Sequence, residues 1–209
     1  MTVEPLGVGL RPTSINPVKA AAVPLAGLTA WQGLFDFGKL EKGQKVLIHA
    51  ASGGVGTYAV QFARWKGAYV IGTASKENID LVKSLGADVV IDHKIEKFED
   101  KVKDADLVFD TLGGDVQKRS LKVLKKGGRL ITTLKPEFTA EAKEKNVHLE
   151  GFMAQSDPEQ LESIASLIDE GKVEPVIAEV FSLEKAAEAQ KKSEEGHVVG
   201  KIVLQVVEN

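Results

Sequence analysis

The stretch Val46-Leu-Ile-His-Ala-Ala-Ser-Gly-Gly-Val-Gly56 limits the folds open to this chain more than any other. An apolar run of strand type ends in a glycine turn. The turn opens directly into the helical pattern of 57–66, with Val55, Ala59, Phe62 and Ala63 on its apolar side. Ala51, Gly53 and Gly56 stand at A-x-G-x-x-G spacing, a variant of the dinucleotide-binding fingerprint. Each small residue has a mechanical task in that reading. Ala51 lets the chain reverse out of the strand, Gly53 admits close backbone approach of a pyrophosphate, and Gly56 lets the helix lie on the sheet. Free N–H groups and the positive dipole end of the helix then face the anion. A glycine turn alone often only turns the chain. Here a strand over 46–50 precedes it and a second strand over 69–74 follows the helix, closing a βαβ unit of about thirty residues.

The same alternation continues. Strand-type segments at 89–92, 107–110, 129–134 and 147–154 are separated by helical patterns over 77–85, 96–103, 115–124 and 139–145. Six strands alternating with helices predict an α/β fold: a doubly wound, mostly parallel Rossmann sheet with helices on both faces. Ahead of the glycine turn, Asn16-Pro17 caps a short helix stopped by Pro24, and a second helix, apolar nearly all round, runs to Phe37. After residue 154 the pattern becomes helix (157–170), strand (176–181), helix (183–194) and strand (200–207). The expected organisation is a lead-in over 1–15, a nucleotide-binding domain over 16–154 and a C-terminal helix–strand extension over 155–209.

With 209 residues, 43% hydrophobic and 27% charged, the chain has material for one domain with a real core. A net charge of −3 gives no footing for a nucleic acid or an anionic membrane as partner. The absence of cysteine excludes disulfides, thiol nucleophiles and thiolate metal sites, and fits a reducing compartment. Residues 1–30 carry no basic leader with a long apolar core, and no apolar run reaches membrane-span length. The cytoplasm is therefore the expected location.

Ala20-Ala-Ala-Val-Pro-Leu-Ala-Gly-Leu-Thr-Ala-Trp31 followed by His49-Ala-Ala-Ser-Gly-Gly-Val-Gly56 resembles the medium-chain dehydrogenase/reductase superfamily. Within it the chain is similar to the zinc-free quinone oxidoreductase, or zeta-crystallin-like, branch. Further matches are Lys83-Ser-Leu-Gly-Ala-Asp-Val-Val-Ile-Asp92, Phe109-Asp-Thr-Leu-Gly-Gly114, Lys126-Gly-Gly-Arg-Leu130 and Gly196-His-Val-Val-Gly-Lys-Ile-Val203. The resemblance runs from about Leu10 to Val206. It departs from the family at its start. A member normally opens with a GroES-like catalytic domain that forms much of the substrate cleft, whereas Met1-Thr-Val-Glu-Pro5 looks like the stretch leading out of that domain. The resemblance implies that the C-terminal strands join the sheet of that domain, so open strand edges are expected here.

The turn after the second strand reads Gly72-Thr-Ala-Ser-Lys76, with no carboxylate before Glu77. A site that holds the free ribose of NAD wants Asp or Glu there. A hydroxyl and a lysine suit a 2′-phosphate instead, so Thr73, Ser75 and Lys76 point to NADP(H). The resemblance agrees, because related reductases commonly use a Ser/Lys pair at this place. Ser52, Gly54 and Val55 complete the phosphate turn with Ala51, Gly53 and Gly56. Asp110-Thr111-Leu112 ends the fourth strand at the crevice where open sheets bind ligands. By resemblance, Leu112 flanks the adenine or its ribose, and His93 stands where relatives often carry a tyrosine near the adenosine phosphate. Thr133, Phe152 and Met153 end the fifth and sixth strands beside the nicotinamide, with Thr29 as a further neighbour. Phe152 and Met153 equally suit a core or a dimer interface.

His49, His93, His148 and His197 fall in no metal-ligand spacing. His49 reads as a core histidine, Ser52 lacks the surroundings of a nucleophile elbow, and no residue stands out as general acid or base. A quinone reductase tolerates that, since the cofactor carries the hydride and the protein mainly orients it. Three readings stay open. The chain is an NADPH-dependent reductase of quinones or activated alkenes and carbonyls, or a nucleotide-binding module without independent catalysis, or a fragment that works when another chain supplies the absent domain. The resemblance also implies a homodimer that pairs its sixth strands.

Overall fold

A computed structural model describes residues 8–207. The first seven residues of the expected lead-in lie outside it. Six parallel strands form the main sheet in the order β3-β2-β1-β4-β5-β6: β1 (Lys45–Ile48), β2 (Tyr69–Ala74), β3 (Val89–Asp92), β4 (Ala105–Asp110), β5 (Leu124–Thr132) and β6 (His148–Gly151). The order reverses between β1 and β4, which places a crevice beyond the carboxyl ends of the two central strands. Val46, Leu47, Ile48, Val108 and Phe109 are fully buried, as both-face coverage of a parallel sheet demands.

The layers come from helices with the predicted caps. Asn16 accepts a hydrogen bond from Lys19 N at the start of α1 (Pro17–Ala21), which begins with proline. One apolar cluster packs α2 (Pro24–Trp31) and α3 (Gly56–Lys66) against β1 and β2 through Leu28, Leu34, Tyr58 and Phe62. A second cluster, with Phe98, Leu121, Leu130 and Val147, fills the opposite face beneath α5 (Phe98–Lys101), α6 (Gly114–Ser120) and α7 (Thr139–Glu144). The predicted doubly wound Rossmann sheet is therefore the observed fold. The remaining helix of the sheet, α4 (Ile79–Ser84), is preceded by a 3-10 turn over Lys76–Asn78.

Several boundaries differ from the sequence expectation for physical reasons. The helix expected to continue to Phe37 widens into a π-helix over Gln32–Phe37. There Gly33 lies so close to Phe109 that an added Cβ would fall 2.4 Å from its ring, and Gln32 exchanges hydrogen bonds with Gln155. The helix expected over 96–103 keeps only α5, because the Glu96 carboxylate turns back to accept from Asp92 N. The strand expected over 147–154 stops at Gly151; Phe152 N still donates to Thr132 O at 3.0 Å, and its ring stacks on Phe37 at 4.7 Å.

Beyond the sheet, α8 (Pro158–Asp169) packs on α2, with Gly27 touching Ile164. The last two strands, β7 (Ile177–Ser182) and β8 (Lys201–Gln205), pair with each other in parallel as a separate two-stranded sheet, with α9 (Ala186–Glu194) between them in sequence. Each keeps one open edge among the described residues. This sheet is tied to the domain by Gly200, whose N–H donates to Ser52 O at 2.9 Å beside the glycine turn.

Candidate functional site

The glycine turn forms the floor of the site. His49 follows β1, and the chain then reverses at Ala50, which takes a left-handed φ of 49°. The reversal thus falls one residue before Ala51, where the spacing put it. Ala51 is small for another reason: it is fully buried against β2, and a Cβ on Gly72 would lie 2.8 Å from its own. Gly56 keeps its expected task. A Cβ there would fall 2.2 Å from Ala50 O, so only glycine lets α3 start this close to the strand. Gly53 lines the cleft, and an added Cβ would meet nothing nearer than Ala50 O at 3.2 Å. Its missing side chain keeps open space open. Gly54 lies under the Lys201 side chain. Val55 caps α3 without a side-chain hydrogen bond, and in the first turn Thr57 N donates to Gly53 O at 3.0 Å.

Above this floor lies a cleft of about 400 Å³. Its inner wall is Ser52, Gly53, Thr73 and Ser75. Asn78 bridges the last of these to the glycine turn, donating to Ser75 Oγ at 3.1 Å and to Ser52 Oγ at 3.3 Å. The far end is formed by His93, Lys94, Glu96 and Phe98, and the opposite wall by Leu112, Val116 and Arg119. Gly196, His197 and Val198 close over the top from the C-terminal extension. The structure therefore gathers Ser52, Gly53, Thr73, Ser75, His93 and Leu112 of the predicted residues. It adds Ala50, Ala74, Asn78, Lys94, Glu96, Phe98, Val116, Arg119 and the 196–198 loop, which sequence reasoning missed.

Other predicted residues border the cleft or stand apart. Lys76 is exposed on the 3-10 turn and does not line the wall. The lysine that does is Lys94, paired with Glu77 at 3.6 Å. The Glu77 carboxyl is lowered by hydrogen bonds from its own backbone and Ser75, with Lys94 adding to them. Thr111 follows β4 at a half-buried position, and Thr133 N donates to Asp110 O. Thr29 is buried in α2 and gives its hydroxyl to Leu25 O at 2.7 Å. Met153 is 82% exposed past the end of β6, while Phe152 packs on Phe37. None of these last five lines the cleft.

Two buried polar groups set the cleft's shape. Asp110 accepts from Leu112 N, Gly113 N and the Thr132 hydroxyl at 2.9–3.2 Å, folding the β4 turn so that Leu112 faces solvent and cleft. His49 is enclosed, with Nδ1 3.2 Å from Thr73 Oγ1 and Nε2 2.8 Å from Ser120 Oγ. Ser120 gives its own proton to Val116 O, so it accepts from Nε2–H, and Thr73 donates to Nδ1. This assigns a neutral imidazole protonated at Nε2. Burial pushes its pKa down to about 4, against the opposing field of Asp110. His49 is thus a satisfied core histidine.

Arg119 ends α6 on the cleft wall. Its Nε and Nη2 grip the Glu99 carboxylate at 2.8 and 2.6 Å. The guanidinium lies 4.7 Å from the Phe98 ring centre. The Arg119 hydrogen bonds hold the Glu99 carboxyl at about 2, against the cost of burial.

Six parallel strands in this order, with a glycine turn after the first, define a dinucleotide-binding Rossmann class of protein. Residues 85–204 match the family described as zinc-binding dehydrogenase. The chain is 34% identical to the mitochondrial NAD(P)H oxidoreductase RTN4IP1 of Danio rerio, over 97% of this chain and 60% of that one. It is 33% identical to the 2-methylene-furan-3-one reductase of Solanum lycopersicum, over 97% and 50%. Among solved structures, the quinone oxidoreductase from Coxiella burnetii superposes with a TM-score of 0.89 at 37% identity, over 94% of this chain and 63% of that one. The chain belongs to the zinc-binding dehydrogenase family of the medium-chain dehydrogenase/reductase superfamily, and it spans about half to two thirds of the length of these relatives. The family's name implies zinc. Among the described residues no group of three or more His, Cys, Asp or Glu could hold a metal ion, so these residues do not fit a zinc site. Nor is any helix among them long and apolar enough to cross a membrane.

Proposed function

We propose that this chain binds NADP(H) in the cleft over the glycine turn and serves an oxidoreductase of the quinone reductase type. Its substrate would be a quinone or an activated alkene or carbonyl. One observation carries the reading. The glycine turn ahead of α3 lines, through Ser52 and Gly53, a cleft that Ser75 and Lys94 also line together with Glu96, with Lys76 beside it and no carboxylate along 72–76. That is an anion site at one end and a place for a second, 2′-linked phosphate at the other. The relatives, one named an NAD(P)H oxidoreductase, one a quinone oxidoreductase and one a reductase of a methylene-furanone, support the same chemistry.

When bound, the nicotinamide supplies the hydride. The residues here bind and orient. Amides of the turn and the helix start hold the pyrophosphate, Ser75 and the lysines hold the 2′-phosphate, and Leu112 packs against the adenosine. Thr133, Phe152 and Met153 border the nicotinamide end, with Thr29 behind them. A second reading is a nucleotide-binding module without turnover of its own. The open edge of β6, with Met153 exposed beside it, supports a homodimer that extends the sheet across two copies. We place the protein in the cytoplasm, in keeping with its lack of cysteine.

Titration of the purified chain with NADPH, followed by a quinone turnover assay in the same buffer, tests both readings. Binding with turnover supports the reductase. Binding without turnover leaves the module.

A further inference from the structure

The adenosine end of the cleft holds one group that the cofactor reading has not used. Phe98, Leu112 and Val116 give that end a flat apolar lining, and Arg119 stands among them. A guanidinium in an apolar wall needs a partner, and Glu99 supplies one through a two-pronged contact. Both side chains are largely enclosed, with 29% of Arg119 and 17% of Glu99 exposed. The plane of the guanidinium is fixed twice, by the carboxylate fork and by its seat on Phe98. Phe98 is itself braced by an edge contact with His49 at 4.7 Å. Nε and Nη2 are committed to Glu99. Nη1 makes no hydrogen bond among the described residues and only approaches Asp115 at 3.7 Å.

We infer that Arg119 is the base-reading residue of this site: its guanidinium, fixed by Glu99 and Phe98, recognises the adenine of the dinucleotide. The inference rests on the dinucleotide reading above. Adenine presents a flat π-face and the acceptors N1, N3 and N7. A planar donor with unspent N–H groups, set among apolar side chains, matches both features. An ion pair serving stability alone has no need of a place on the cleft wall or of an unspent nitrogen. Arg119 acts on binding and has no part in hydride transfer.

The two halves of the cofactor separate this role from a structural one. Wild-type chain and Arg119→Lys are titrated with adenosine 2′,5′-bisphosphate and with reduced nicotinamide mononucleotide. Lysine keeps the charge opposite Glu99 but lacks the plane and the fork. The expected result is about tenfold weaker binding of the adenosine half, with the nicotinamide half unchanged within about twofold. Should Arg119→Lys fail to fold, Glu99→Gln keeps the arginine and loosens its anchor, with an expected loss of about threefold on the adenosine half alone. Unchanged binding of the adenosine half, or an equal loss on both halves, overturns the inference. A wild-type chain that binds neither half removes the dinucleotide reading and this inference with it.

Discussion

Lys94 lines the cleft and Lys76 stands exposed beside it, so the second phosphate of the proposed cofactor would meet a lysine that sequence adjacency does not reveal. Lys76 follows Ser75 in the chain, and that adjacency made it legible. Lys94 reaches the same end of the cleft only because β2 and β3 are neighbours in register, Ala74 opposite Asp92. If the second phosphate sits there, Lys76→Glu weakens NADPH by about tenfold or more and leaves NADH within about threefold, as a charge reversal near one phosphate should. Equal losses for the two cofactors, measured by calorimetry, remove the 2′-phosphate role. Ser52, Gly53, Thr73, Ser75, His93 and Leu112 were legible because they sit at or just past strand ends. Arg119 and Phe98 were not: each lies in a helix, and their meeting through Glu99 depends on how α5 and α6 pack. His49 carries a separate consequence. The unfolded chain takes a proton there near its ordinary value of 6.5, the folded chain only near 4. The stability gained by keeping it neutral is complete above pH 6.5 and is lost as pH falls through 4. Replacing it by glutamine should flatten the fall of the melting temperature over that interval relative to wild type. Parallel curves for the two proteins count against the burial argument.

At the scale of elements, the strand and turn signals were reliable where local chemistry decides. β2 and β3 have the boundaries that their Val/Ile runs predict. The π-helix over Gln32–Phe37 was hidden: Gly33 within it meets Phe109, 76 positions away, a contact that no local pattern marks. β5 begins early, at Leu124, with a register shift against β4 that no local pattern marks. The glycine turn tests the element view most sharply. Gly56→Ala places a methyl carbon 2.2 Å from Ala50 O and 2.8 Å from Ala51 Cα, against backbone that cannot yield cheaply. The expected cost is about 3 kcal/mol in urea unfolding, together with loss of dinucleotide binding. A variant as stable as wild type would mean that α3 is not held against the strand end as described.

The whole molecule has a closed side and an open side. The six-stranded sheet is covered on both faces, while β7 and β8 form a small sheet with free edges and with Val180 and Leu204 partly exposed. Open edges on these strands were an expectation from the sequence, and among the described residues each keeps one. The sequence did not indicate that they would pair with one another, because parallel pairing across α9 depends on the return of the chain to the glycine turn through Gly200. Assembly is argued at this scale as well. A dimer across β6 has about twice the 22.5 kDa mass of one chain, and light scattering at micromolar concentration should report it. A single species at the mass of one chain would contradict that assembly. The central claim, that the cleft is an NADP(H) site, is tested most directly by calorimetric titration of the wild-type chain with NADPH and with NADH. NADPH should bind saturably, at least about tenfold tighter than NADH. Absence of binding, or NADH held as tightly as NADPH, would contradict that claim.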